Sequence, residues 1–234
     1  CRTMTSVRRG VLQPDPALDS FRVVRGEKCW WCGELATTEE HRIKASTLRR
    51  VGRDERGAVD ARNVFKKSSD YEGALRTLLK GPQVRWNKNL CARCNNSKSQ
   101  PFDRAYDAFE EFLVGHFIEI AIEGRIDWAQ IYGGDWELEA INLGRYFGKQ
   151  LGCMLSTYSL PIPPGLQEFL DGVAEIPAIQ FSMYINADVV GEMVQHPEVD
   201  WSTLVGLGEA PAYETAGRFS GTDYSFYVGY LNFL

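Results

Sequence analysis

Two Cys-x-x-Cys pairs, Cys29/Cys32 and Cys91/Cys94, constrain this chain more than any other feature. Each pair lets one tight turn point two sulfurs at the same ion, and two such pairs complete a tetrahedral site with metal–sulfur bonds of about 2.3 Å. The spacing suits a shared structural zinc better than disulfides or unrelated reduced thiols. A four-sulfur site has no open position for water or substrate, so the metal would staple two segments and the chemistry would fall to residues that it positions. Cys1 and Cys153 are left over, and read as a terminal and a buried thiol.

The net charge of −5 and the pI near 5.4 argue at first against a polyanionic partner. The average hides an asymmetry. Residues 1–104 hold 22 Lys and Arg against 12 Asp and Glu, a surplus of +10, and the remainder holds 4 against 19, or −15. The basic part carries both cysteine pairs, which marks it as the surface for a nucleic acid. No run approaches the roughly 18–20 apolar residues of a membrane-spanning helix, and no apolar signal-like segment opens the sequence, so a cytoplasmic chain is expected.

Periodicity divides the chain further. Residues 1–27 read as an irregular arm. A strand is expected over Ala36–Ile43 and another over Val84–Leu90, with an exposed basic insertion, 47–83, between them. Within it, Ser69 and Glu72 have the form of a capping box for a short helix through Leu75, Leu78 and Leu79, stopped by Gly81 and Pro82. After the second pair, 95–99 start a helix, Pro101 sits at or near a first turn, and apolar residues at helical spacing predict helices over Phe102–Ile122 and Trp136–Leu151. A Pro-rich loop (161–165) precedes a helical piece, Leu166–Leu170. The period then changes to two at Ile179–Ile185 and Tyr224–Tyr230, with a turn at Ser220–Asp223. The fold class expected is α+β: a front module over 28–104 and an acidic region over 105–234 made of helices and an antiparallel sheet.

Three runs accompany the cysteines in order: Cys-Trp-Trp-Cys-Gly, then Thr-Thr-Glu-Glu-His-Arg-Ile-Lys, then Asn-Leu-Cys-Ala-Arg-Cys-Asn-Asn-Ser-Lys. In that order they resemble the HNH endonucleases, the zinc-stapled branch of the ββα-metal nucleases, over about residues 29–99. The resemblance implies a Mg²⁺- or Mn²⁺-dependent nuclease acting on DNA, in a setting such as restriction-like or anti-phage defence. It implies His41 as general base, Glu40 and Asn95 as oxygen ligands of the catalytic cation, and Asn89 as the residue that ties down the loop carrying His41. Glu40 stands where many members have Asp, and Glu39 is available to share its role.

Arg42, Lys44, Arg49, Arg50 and Lys98 are the candidates for holding phosphates. Cutting both strands with one such site needs two copies or two nicks, which favours a homodimer. Trp30 and Trp31 are expected to shield the metal rather than stack on bases, and His116 and His196 to be structural. A non-catalytic zinc-dependent nucleic-acid-binding module is the alternative from a different class, and RNA is the alternative substrate.

Overall fold

A computed structural model describes residues 27–67, 71–163, 165–174, 180–208, 212–215, 218–222 and 224–233. The expected arm, apart from Glu27, lies outside them, as do Cys1, Ser69, Ile179 and Asp223. The fold is mixed α+β. Strand β1 (Thr38–His41) pairs antiparallel with β4 (Arg85–Leu90), Glu39 facing Lys88 and His41 facing Arg85, with register shifts on either side of Glu39. These are the two strands that the front module was expected to hold. A π-helical turn, Arg93–Lys98, then leads into helix α2 (Gln100–Gly115), which has Pro101 in its first turn, where the missing N–H costs no helical bond.

The segment between the two strands is more than an exposed insertion. Helix α1 (Ala45–Val51) buries Thr47 and Leu48, and strands β2 (Phe65–Lys67) and β3 (Glu72–Ala74) form a small antiparallel ladder. Leu48, Val64, Leu75, Leu78 and Val84 make a separate apolar cluster. The helix expected from Glu72 onward is absent: Glu72–Ala74 is strand, and Leu75 and Leu78 turn inward from irregular chain instead of lining a helix. Two leucines three apart fit either geometry, and strand pairing with 65–67 decides between them.

The long helix expected over 102–122 is two helices, broken at His116: α2 and α3 (Phe117–Glu123), the latter stopped by Gly124 in the left-handed region at φ +66°. Helix α4 (Trp128–Tyr132) is followed by α5 (Trp136–Tyr158), seven residues longer at its C-terminal end than the apolar stripe implies, and α6 (Leu166–Leu170) has the expected bounds. Strand β5 (Met183–Ile185) precedes a helix that the alternation did not signal, α7 (Ala187–Gln195), capped by the Asn186 side chain. Then come β6 (Val205–Leu207), the paired β7 (Ala212–Thr215) and β8 (Arg218–Thr222), β9 (Phe226–Val228) and β10 (Leu231–Phe233). Residues 220–222 thus continue a strand where a turn was expected. The antiparallel sheet runs β5-β10-β9-β6.

One apolar cluster runs from Cys29 through α2 and α5 to Phe233. Tyr106 of α2 stacks on Tyr146 of α5 with centroids 4.1 Å apart, and Phe147 stacks on Phe233 at 4.8 Å. The Tyr230 hydroxyl donates to the Phe117 carbonyl, fastening the terminal sheet to α3. No described helix is long and apolar enough to cross a membrane.

Candidate metal centre and groove

The four sulfurs of Cys29, Cys32, Cys91 and Cys94 all lie within 4.8 Å of one another, with Cys32 Sγ 3.6 Å from Cys91 Sγ. A tetrahedron with bonds of about 2.3 Å has edges of about 3.8 Å, so the cluster could hold a metal ion with only small side-chain shifts. Backbone geometry builds it from local sequence. Gly33, at φ +80°, closes the first turn by donating to the Cys29 carbonyl at 2.8 Å, and the Cys94 N–H donates to Cys91 Sγ. The first turn is tied to β4 by the Trp30 N–H, which donates to the Asn89 carbonyl at 3.1 Å. Burial pushes the Cys94 thiol well up from its ordinary value, so a bound cation is what would draw the proton off. Trp30 and Trp31 are both buried, and Trp31 Nε1 donates to Asp171 at 2.7 Å.

The hairpin of β1 and β4 presents two faces, and they differ in chemistry. One face leans on α5. The Glu40 carboxylate accepts from Lys149 Nζ at 3.1 Å and from Gln150 Nε2 at 3.2 Å, and Gln150 in turn accepts from Trp86 Nε1 at 2.8 Å. Lys149 is fully buried, and its ammonium also meets Asp103 of α2 at 3.1 Å. Burial alone would lower the Lys149 pKa, but the two carboxylates outweigh it and hold the ammonium charged.

Asn89 lies on this face too. Its Nδ2 donates to the Cys153 carbonyl of α5 at 2.8 Å. The expectation that Asn89 ties the loop carrying His41 is therefore replaced by a tie from β4 to α5.

The other face is open. A groove of about 450 Å³ is lined by Thr37, Thr38 and Glu39, by Arg85 and Lys88 of β4, and by Asn95 and Asn96 at the start of the π-helical turn. Asn95 Oδ1 is buried with no hydrogen-bond partner among the described residues. Asn95 lines the groove and Glu40 does not. The carboxylate that shares the groove with Asn95 is Glu39, whereas Glu40 is directed to Lys149 and Gln150 of α5.

Glu40 already faces the Lys149 ammonium, and burial raises its pKa against the pull of that charge. Glu39 and the unpartnered Asn95 oxygen do offer hard ligands on the open side.

His41 ends β1 opposite Arg85, whose guanidinium donates to the Leu79 and Glu39 carbonyls at 2.5 and 2.9 Å. Burial, with Arg85, Arg49 and Lys149 nearby, lowers the His41 pKa to about 4, against a hydrogen bond to the Leu78 backbone that raises it. The ring is neutral at pH 7. Its Nε2 is buried with no hydrogen-bond partner among the described residues, and His41 adjoins the groove through Arg85 without being one of its lining residues.

Most of the expected phosphate-binding cations are already engaged. Arg42 donates to the Arg85 carbonyl and lies over the Trp86 ring. Lys44 pairs with Asp107 at 2.7 Å, and Arg50 with Glu110 at 2.8 Å while also donating to the Ser202 carbonyl. Lys98 pairs with Asp171. Arg49 is exposed. The acidic partners Asp107, Glu110 and Asp171 all belong to the acidic part of the sequence.

His116 Nδ1 sits against the Phe112 carbonyl and His196 between Glu192 and Glu198, both far in sequence from the groove. Lys149, Gln150 and Asp103 carry no local motif, and only the fold brings them to Glu40. Arg85 and Lys88 were hidden in a strand read for its apolar residues, although a strand that exposes one face leaves alternate positions free for function. Comparison with protein-family models, curated proteins and solved structures finds no match.

Proposed function

We propose that this chain is a metal-dependent endonuclease that hydrolyses DNA phosphodiester bonds on a zinc-stapled ββα module of the HNH kind. The observation that carries the reading is a neutral imidazole with an unpartnered Nε2, His41, opposite Arg85 of a groove that also holds the unpartnered Asn95 oxygen. Nε2 would take the proton of a water whose oxygen attacks phosphorus. Its pKa of about 4 reflects burial first and then the positive charge of Arg85, Arg49 and Lys149, and an incoming phosphate would offset the charge part and raise the basicity of the ring. A Mg²⁺ or Mn²⁺ ion, offered oxygen by Glu39 and Asn95, would neutralise charge developing on the phosphate. Zinc in the four-cysteine cluster would fix the end of β4 against the turn carrying Asn95. A homodimer would supply the two sites that a double-strand cut requires.

The second reading, a binding module without catalysis, is favoured by the Glu40–Lys149 pair, which removes one acidic ligand from any cation site. Incubation of supercoiled plasmid with the purified protein and Mn²⁺ or Mg²⁺ separates the two. Nicked or linear product is expected. Salt-sensitive binding with no cleavage under either ion would select the binding module. Competition with an RNA duplex then identifies the preferred polymer.

A further inference from the structure

The cations that sequence order placed near the catalytic run are mostly spent inside the molecule, which raises the question of which charges remain for a polyanion. Arg42 is committed to a carbonyl and a tryptophan face, and Lys44, Arg50 and Lys98 each face a carboxylate from the acidic part of the chain. An ion pair that is already made must be broken before either partner can serve a ligand, so these residues contribute little to binding a phosphate chain.

Two cations of the groove are different. Lys88 is exposed, and its side chain makes no hydrogen bond or ion pair among the described residues. Arg85 donates only to backbone carbonyls, so its charge is oriented without being neutralised. They stand three apart on β4 and line the groove together with the hydroxyl residues Thr37 and Thr38 and with Asn95. Against them the groove sets one carboxylate, Glu39, which leaves it with a net positive charge.

We propose that this groove seats the sugar-phosphate backbone of a duplex, with Lys88 as a phosphate contact and Arg85 as the fixed guanidinium beside the scissile position. The inference rests on the nucleic-acid reading above and names the surface that reading uses. The two threonine hydroxyls and the Asn95 and Asn96 amides suit phosphate and sugar oxygens, and none of these groups reads base identity unaided. The groove is therefore a backbone site, and binding at it is expected to be insensitive to sequence and sensitive to salt.

The test is fluorescence anisotropy of a fluorescein-labelled DNA duplex of mixed sequence over a salt series, with no divalent ion added. Lys88→Gln is the main variant, because Arg85 also holds the Leu79 and Glu39 carbonyls and its replacement risks the fold. Removing one phosphate contact is expected to weaken binding several-fold and to reduce the slope of log K against log salt by about 0.9. Lys98→Gln, whose charge is already paired, is expected to leave the slope at the wild-type value, and both variants should melt as the wild type does.

Equal binding by Lys88→Gln and wild type overturns the proposal, as does an equal loss in Lys98→Gln or no duplex binding by the wild type at low salt. Binding that depends on Lys88 without cleavage in Mg²⁺ or Mn²⁺ keeps the groove and removes the hydrolytic reading. Cleavage indifferent to Lys88 does the reverse.

Discussion

A fully buried ammonium between two carboxylates is costly to disturb. Lys149 holds Glu40 and Asp103 at 3.1 Å each, so removing it leaves a largely buried Glu40 and a partly exposed Asp103 without their counter-charge. Lys149→Met is expected to lower unfolding stability by about 3–5 kcal/mol in urea denaturation, and Glu40→Gln by less, since Lys149 then keeps Asp103. Equal small effects would show that the triad carries little.

His41 gives a pH signature. Its folded pKa of about 4 lies below the ordinary value of 6.5, so between those limits the unfolded chain binds the proton and the folded one does not. Stability should therefore fall as pH drops from about 6.5 towards 4, and His41→Gln should remove that part of the slope. Thermal melts at half-unit pH steps measure it. The cluster of the four cysteines was legible because each pair stands three apart in sequence. The fate of Glu40 was not, because its partner lies 109 residues away and no local pattern signals a lysine aimed into a core.

At the level of elements, the hairpin of β1 and β4 depends on the cysteine cluster at one end and on α5 along one face. Chelation of the metal, or Cys91→Ser, should lose the bound ion and melt the hairpin together with the turn carrying Asn95, seen as lost protection of the Thr37 and Trp30 amides in hydrogen exchange. Gly152 of α5 is where the helix meets Trp30, and a β-carbon there would run into the indole ring. Gly152→Ala is expected to destabilise by at least about 1–3 kcal/mol despite the better helix propensity of alanine, measured by denaturant midpoint.

Strands β1, β4, β5 and β9 and the helices α2 and α5 could be read in part from periodicity, because each buries one face. The helix expected from the Ser69–Glu72 box could not, since pairing of 72–74 with 65–67 is a non-local event. Helix α7 escaped notice beside strongly alternating neighbours, although Asn186 followed by Asp188 was a capping signal.

For the whole molecule, the charge asymmetry of the sequence becomes a set of contacts. Lys44–Asp107, Arg50–Glu110 and Lys98–Asp171 join basic residues to the acidic region, and Lys149 returns the exchange by pairing with Glu40. The acidic region is thus a buttress of the front module. Cutting the chain after Arg104, which the charge split alone would suggest as a route to a freer active fragment, removes Lys149, Gln150 and the Cys153 carbonyl that holds Asn89. Such a fragment should bind metal yet unfold without a cooperative transition, as followed by near-ultraviolet circular dichroism.

The central claim is that His41 is the base of a phosphodiester-cleaving site. Single-turnover cleavage of a labelled DNA duplex in Mn²⁺ by wild type and His41→Ala, with metal content and melting curves taken on the same samples, tests it most directly. A rate lower by about 10²–10⁴-fold with cysteine-bound metal retained and no loss of folded protein at neutral pH is the predicted result. An unchanged rate in a variant that keeps its metal and its fold would contradict it.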